Sequence, residues 1–300
     1  MSLSAPRFGR VLTAMVTPFD EEGALDLDAS AELARWLVAN GSDGLVVAGT
    51  TGESPVLTDE ERCELIKVVA ESVSVPVIAG TTTNDTAHSI MLTAKAQELG
   101  ADGILAVTPY YNRPSQAGLR AHFAACAEAT SLPVILYDIP ARSGRKIAKE
   151  TILSLSASHA NIVGVKEASG DVPNAAALLA QVPATFEMYS GDDSLTIPLM
   201  SVGAVGVISV ASHWVGVEMR AALEAFAAGN VAEATALNAA LIEHYDFEGS
   251  ERWPNPEPSK AVLRALGIKV GRCRLPMVPE DPELDAAAAA LVGRLVASRG

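Results

Sequence analysis

With 300 residues, 49% of them hydrophobic and 19% charged, the chain can bury a sizeable core, and its length fits one large α/β barrel or two smaller domains. A net charge of -14 disfavours nucleic acid and anionic membrane surfaces as partners, since both would repel this field, and an anionic small substrate would need a local cationic pocket. Cys63, Cys126 and Cys273 are scattered without metal-type or redox spacing and are expected to be reduced, buried thiols. Met1 to Arg10 lacks the apolar core of a signal peptide, and no later run is long and apolar enough to span a bilayer, so a cytoplasmic protein is expected.

In chain order, short apolar runs alternate with longer amphipathic ones. Val11 to Val16 reads as a strand that Pro18 ends, and residues 27–39 as a helix with Leu33, Trp36 and Leu37 on one stripe. Strands follow over 44–48, 75–79, 103–107 and 134–137. Between them lie helices from Thr58, as N-cap, to Glu71, from Thr86 to Leu99, and over about 115–129. A helix from Lys149, a strand ending at Lys166, a helix over 172–179, a strand over 185–189 and, after a short helix, a strand over 205–210 complete the pattern. Eight strand-then-helix units before about residue 228 are what a closed (β/α)8 TIM barrel requires. The alternative is a doubly wound open sheet, whose dinucleotide-binding version is weakened because no Gly-x-Gly-x-x-Gly follows the first strand. Residues 1–228 are therefore expected to form the barrel domain. Residues 229–300 should form a C-terminal helical extension, with helices over 232–245, 258–266 and 284–298 and a stiff linker at Pro254, Pro256 and Pro258.

Barrel enzymes carry their active sites at the carboxyl ends of the strands, so polar residues just after each apolar run should form one constellation. The second strand is followed by Gly49-Thr-Thr-Gly-Glu53, the fourth by Thr108-Pro-Tyr-Tyr-Asn112, and the fifth by Tyr137-Asp-Ile-Pro-Ala-Arg-Ser-Gly144. The sixth ends in Lys166 and the seventh in Ser190-Gly-Asp-Asp193. Ile162, Val163 and Val165 suit a strand buried on both faces, and a lysine directly after them either reaches back to water or sits in a partly dry site. In the dry site desolvation disfavours the ammonium, leaving an amine that can condense with a carbonyl substrate to a Schiff base.

These blocks, with Tyr110-Tyr-Asn-Arg-Pro-Ser115, Gly164-Val-Lys-Glu-Ala-Ser169 and Gly206-Val-Ile-Ser-Val210, resemble the signature blocks of the 4-hydroxy-tetrahydrodipicolinate synthase (dihydrodipicolinate synthase) family. That family lies within the superfamily of pyruvate-dependent class I aldolases and lyases. The resemblance runs from about Val11 to Pro279. It implies that Lys166 forms the imine with pyruvate, which loses a proton to an enamine and adds to aspartate 4-semialdehyde, in lysine and diaminopimelate biosynthesis. Tyr137 would be the acid and base, linked by Thr50 to Tyr111, which the family pattern supplies from a neighbouring subunit. Thr51 would bind the pyruvate carboxylate, and Ile208 would offer its carbonyl beside the lysine. Gly191 would leave room over the site, and Arg142 would hold the carboxylate of the acceptor. The resemblance implies a homotetramer, a dimer of dimers, with no cofactor beyond the covalent Schiff base. Glu53, Asp192 and Asp193 have no histidine spaced with them, so no metal is expected.

Asp138, Ala141 and Ser143 depart from the common asparagine, serine and threonine; Asp138 would pair with a neighbouring arginine or act on Tyr137. Another aldolase or lyase such as N-acetylneuraminate lyase, or a non-catalytic pyruvate-binding barrel, stays open as an alternative, and Arg142 is the residue that favours the synthase. In lysine-inhibited relatives, positions matching Asp59, Arg62, Asn84 and His88 hold the effector. The set present here implies weak inhibition by lysine or none.

Overall fold

The computed structural model describes residues 5–278 and 280–299. Residues 1–4, which open the amino-terminal stretch, Pro279, where the matched blocks end, and Gly300 lie outside the described residues.

Eight strands close into one parallel barrel in sequence order: β1 Val11–Ala14, β2 Gly44–Val47, β3 Val77–Gly80, β4 Gly103–Val107, β5 Val134–Asp138, β6 Ile162–Glu167, β7 Glu187–Ser190 and β8 Gly206–Ser209. β1 pairs with both β2 and β8, which closes the sheet and leaves no edge to protect. The helices are α1 Leu27–Ala39, α2 Asp59–Ser72, α3 Thr86–Glu98, α4 Gln116–Glu128, α5 Pro140–Ser143, α6 Lys149–Ser158, α7 Val172–Leu179, α8 Thr196–Ser201 and α9 Ser212–Ala227. Beyond the barrel come α10 Val231–Phe247, α11 Glu257–Ala265 and α12 Pro282–Arg299. Among the described residues no helix is long and apolar enough to cross a membrane.

Local signals set the helix starts. Thr58 accepts from the Glu61 N–H while the Glu61 carboxylate accepts from the Thr58 N–H, so two of the donors that a helix start leaves unpaired are satisfied reciprocally. Asp26, Ser115 and Asp171 cap α1, α4 and α7 by accepting from the Ala29, Gly118 and Asn174 N–H groups. Two strands start later than expected, and each runs one residue past its expected end. β3 begins after Pro76, which has no N–H to give a ladder, and β7 begins only at Glu187. The prolines are not all linker: Pro258 sits in the first turn of α11, where its missing N–H costs nothing.

The core has two parts. Leu12, Val46, Ile78, Leu105, Ile135, Tyr137, Tyr189 and Ile208 fill the barrel, with Phe8 also in this cluster. A much larger cluster lies between the barrel and its helices, including Leu33, Leu37, Leu65, Val69, Phe123, Ile152, Trp214 and Met219. At about 1.5–3 kcal/mol per fully buried large apolar side chain, this outer layer supplies most of the hydrophobic stabilisation. The carboxyl ends of the strands are thereby left free to hold polar groups.

Candidate active site

Strand register assembles the centre of the site. Lys166 on β6 is the partner of Tyr137 on β5 and of Tyr189 on β7. Only 4% of Lys166 is exposed, so it takes the dry position rather than the surface one, and its Nζ stands 4.3 Å from the centre of the Tyr137 ring. This cation–π contact holds the amine against the phenol without a covalent constraint. Two glycines make the space. A Cβ on Gly164 would lie 2.3 Å from the Glu187 carbonyl oxygen, and one on Gly191 would lie 2.7 Å from the Ala168 Cβ and 3.0 Å from the Lys166 Cε. Any side chain at Gly191 would therefore press on the lysine itself.

Lys166 opens into a cavity of about 420 Å³ whose wall also includes Tyr137, Thr50, Thr51, Arg142 and Gly191. A second cavity of about 350 Å³ shares Thr50, Tyr137, Ile139 and Arg142 with it and runs on past Ser54 and Tyr110. Both volumes suit small molecules. Thus six of the eight expected site residues meet around one space. Ile208 is fully buried in the barrel interior and is in neither wall. Tyr111 is also in neither: it is 89% exposed and held at φ 73°, in the left-handed region that non-glycine residues rarely adopt. Among the described residues no hydrogen bond joins Thr50 to Tyr137, although both line both cavities.

One residue that sequence reasoning missed completes the wall. The Asn255 side-chain amide donates to the Thr51 hydroxyl at 2.9 Å, and the Asn255 carbonyl accepts from the Arg142 guanidinium at 3.1 Å. The stretch read as a linker is thus clamped to two site residues at once. Since the Thr51 oxygen already accepts from Asn255, its own proton is directed elsewhere and is available to an anion in the cavity. The only signal for this was an asparagine locked between Pro254 and Pro256.

Arg142 is exposed and bonds the Asn255 carbonyl rather than Asp138 or Glu167, so most of its donor fork faces solvent and the cavity. Asp138 does not pair with an arginine. It is 1% exposed and accepts from the Ile147 N–H at 3.0 Å, and burial, with Glu167 adding a like charge, pushes its carboxyl up to about 7.

The carboxylates that a metal site would need are engaged otherwise. Glu53, at φ 55°, forms a buried ion pair of 2.7 Å with Lys260 on α11 and accepts from the Arg274 N–H at 2.8 Å. Lys260 also donates to the Arg272 carbonyl at 2.9 Å and lies 4.2 Å from the centre of the Phe19 ring. These extra partners offset the desolvation of the pair, and removing one member alone would cost about 3–5 kcal/mol. Glu53 and Asn255 together fasten the Thr50 and Thr51 turn to the start of α11. The Asp192 carboxylate caps the 3₁₀ turn Asp193–Leu195 by accepting from Ser194 N–H.

Near the second cavity, His88 Nε2 bonds Asp59 at 2.9 Å. The buried Arg62 donates to the carbonyls of Gly80 and Ser54, each at 3.0 Å.

The chain matches the model of the dihydrodipicolinate synthetase family over residues 7–294. It is 53% identical over 294 residues to the 4-hydroxy-tetrahydrodipicolinate synthase of Moorella thermoacetica, covering 96% of this chain and 100% of that one. Among solved structures it superposes with a TM-score of 0.91 on a dihydrodipicolinate synthase of Bacillus anthracis, at 44% identity, covering 95% of this chain and 98% of the other. A relative from Cyanidioschyzon merolae, solved with lysine bound, also gives 0.91, at 43% identity and the same coverage.

Proposed function

The chain belongs to the dihydrodipicolinate synthetase family, and from that premise we propose that it condenses pyruvate with L-aspartate 4-semialdehyde through a Schiff base on Lys166. It is an enzyme of the lyase class, and the reaction is a step of lysine and diaminopimelate biosynthesis. The observation that carries the site assignment is the amine of Lys166, buried at the carboxyl end of β6 and stacked 4.3 Å from the Tyr137 ring.

In this reading the Lys166 amine attacks the ketone carbon of pyruvate, water leaves, and the imine loses a methyl proton to become an enamine. The imine is the electron sink, so no other cofactor is invoked. The enamine carbon adds to the aldehyde, after which the amino group of that substrate closes the ring and displaces the lysine. Tyr137 exchanges the protons at the imine, and Thr50 links it to a relay. Thr51, oriented by Asn255, donates to the pyruvate carboxylate, and Arg142 receives the carboxylate of the acceptor. Gly191 keeps the space over the lysine, and Ile208 contributes only backbone.

The same reading places the enzyme in the cytoplasm as a homotetramer, a dimer of dimers. What supports the assembly is Tyr111, whose ring is exposed on a left-handed backbone, where a neighbouring copy could receive it.

The test is a substrate comparison. Rapid condensation of pyruvate with aspartate 4-semialdehyde is expected, with Arg142→Leu raising the KM for the semialdehyde by about tenfold or more while the KM for pyruvate changes little. Efficient cleavage of sialic acid with negligible condensation would overturn the assignment. Free lysine is expected to inhibit weakly or not at all. Asp59 is already engaged by His88, and Arg62 adds a like charge, so an added ammonium has little to bind. Initial rates against lysine at saturating pyruvate read this directly, and half-inhibition below about 1 mM, roughly 4 kcal/mol of binding, would contradict it.

A further inference from the structure

Along the wall of the Lys166 cavity, which Tyr245 and Glu248 help to line, three buried polar atoms have no hydrogen-bond partner among the described residues: Asp193 Oδ1, Glu248 Oε2 and the Tyr245 hydroxyl. Asp193 begins the 3₁₀ turn after β7 and is 1% exposed. Its other oxygen, Oδ2, accepts from the Val210 and Ala211 N–H groups at 3.0 and 2.7 Å, so it ties the turn after β7 to the turn after β8. Glu248 follows α10 directly, and its side chain meets that of Asp193. Two carboxylates in contact repel each other, and the buried oxygens Glu248 Oε2 and Asp193 Oδ1 have no donor. A single proton between them removes both faults: Glu248 as an acid has an O–H to give, and Asp193 as an anion can accept it.

We propose that Glu248 is held as a neutral acid donating its proton to Asp193, and that this contact makes it a positioning residue for the Lys166 site. By locking α10 to Asp193 it fixes two turns at once. The turn after β7 carries Gly191, which abuts the Lys166 Cε, and the turn after β8 carries Val210, which lines the cavity. Every charged or titratable group facing the contact supports the neutral form. Asp192 and Asp193 on the β7 side are acidic, and Tyr245 and Asp246 on α10 bring no positive charge. The Ala211 N–H alone pulls towards ionisation. Burial, reinforced by Asp193, pushes the Glu248 carboxyl well above its ordinary range. The cations among the residues lining the cavity are Lys166 and Arg142.

The inference rests in part on the Lys166 reading, and the experiment separates the two. Infrared spectra at neutral pH should show a protonated-carboxyl C=O band in the wild type that Glu248→Gln removes, while the band of Asp138, titrating near 7, persists in both. Asp193→Asn should remove the same band, because Glu248 then ionises against the amide donor. It supplies the same readout if Glu248→Gln does not fold. Because the folded value is raised, the contact stabilises fully below the ordinary glutamate range and is lost as pH rises through the folded value. Glu248→Gln should therefore melt increasingly above the wild type as pH rises. For positioning, Glu248→Ala should slow formation of the pyruvate imine by about tenfold or more, since displacements near 1 Å cost up to about 10²-fold, and glutamine should restore it. An unchanged band in both variants, with parallel melting at every pH, would overturn the proton assignment. A band lost without any change in imine formation by Glu248→Ala would overturn the positioning role. Absence of any imine in the wild type, with the band intact, would instead count against the Lys166 reading.

Discussion

Lys166→Ala is expected to abolish condensation, lowering kcat by at least about 10⁴-fold, while the protein still melts cooperatively within a few degrees of the wild type. The two halves of this expectation have different physical sources. In the proposed mechanism activity depends on one amine at one place, and among the described residues no other lysine lines either cavity. Stability depends on the layer between barrel and helices, built from residues such as Leu33, Phe123 and Met219, none of which touches the cavity. The Lys166 side chain ends at the cavity, so shortening it removes few packing contacts from the layer that holds the fold. Circular dichroism melting and steady-state rates check both halves. A variant with substantial residual turnover would show that the nucleophile lies elsewhere.

Tyr137→Phe is expected to lower kcat by about 10²–10⁴-fold, the range of a lost general acid and base, with a much smaller effect on fold and on pyruvate affinity. The substitution keeps the aromatic face that Lys166 Nζ approaches at 4.3 Å and keeps the β5–β6 register that pairs these residues. Only the hydroxyl goes. Pre-steady-state trapping of the imine should show that its formation is slowed along with the overall rate, since the proposed role of the phenol covers the dehydration step as well as the later proton transfers. Full-rate imine formation in Tyr137→Phe would move the proton-transfer role to another group.

Much of the site was legible because barrel topology turns a one-dimensional rule into a place. Residues directly after apolar runs end at one mouth, so Thr50, Thr51, Tyr137, Arg142, Lys166 and Gly191 can be grouped from the amino-acid sequence alone, and all six line one cavity. β4 and α7 even kept their expected bounds, since Gly103 to Val107 and Val172 to Leu179 are each bracketed by clear stop signals. Long-range partners were not legible. Asn255 is 204 positions from the threonine it orients, and the ion pair of Glu53 with Lys260 joins elements at opposite ends of the chain. No periodicity encodes such contacts. Proline spacing around Asn255 signalled stiffness but not what the stiffness was for. The short α5 was missed for a local reason: Ile139-Pro140 starts a turn that Gly144 ends after four residues, too few for a hydrophobic stripe to register.

Asp138 illustrates the opposite case, a residue noticed in the sequence for which the first of two expected roles, pairing with an arginine, is not what the structure shows. A carboxylate one position after Tyr137 suggested an arginine nearby, yet strand alternation turns its side chain away from the cavity, where the Ile147 N–H meets it. Its near-neutral titration then follows chiefly from burial, with the like charge of Glu167 adding to it.

The most direct test of the central claim is borohydride reduction in the presence of pyruvate, followed by peptide mapping of the modified protein. The account predicts one pyruvate-derived adduct per chain, carried on Lys166, absent without pyruvate and absent in Lys166→Ala. An unmodified Lys166 in protein that still binds pyruvate fully, or an adduct fixed on a different lysine, would contradict it.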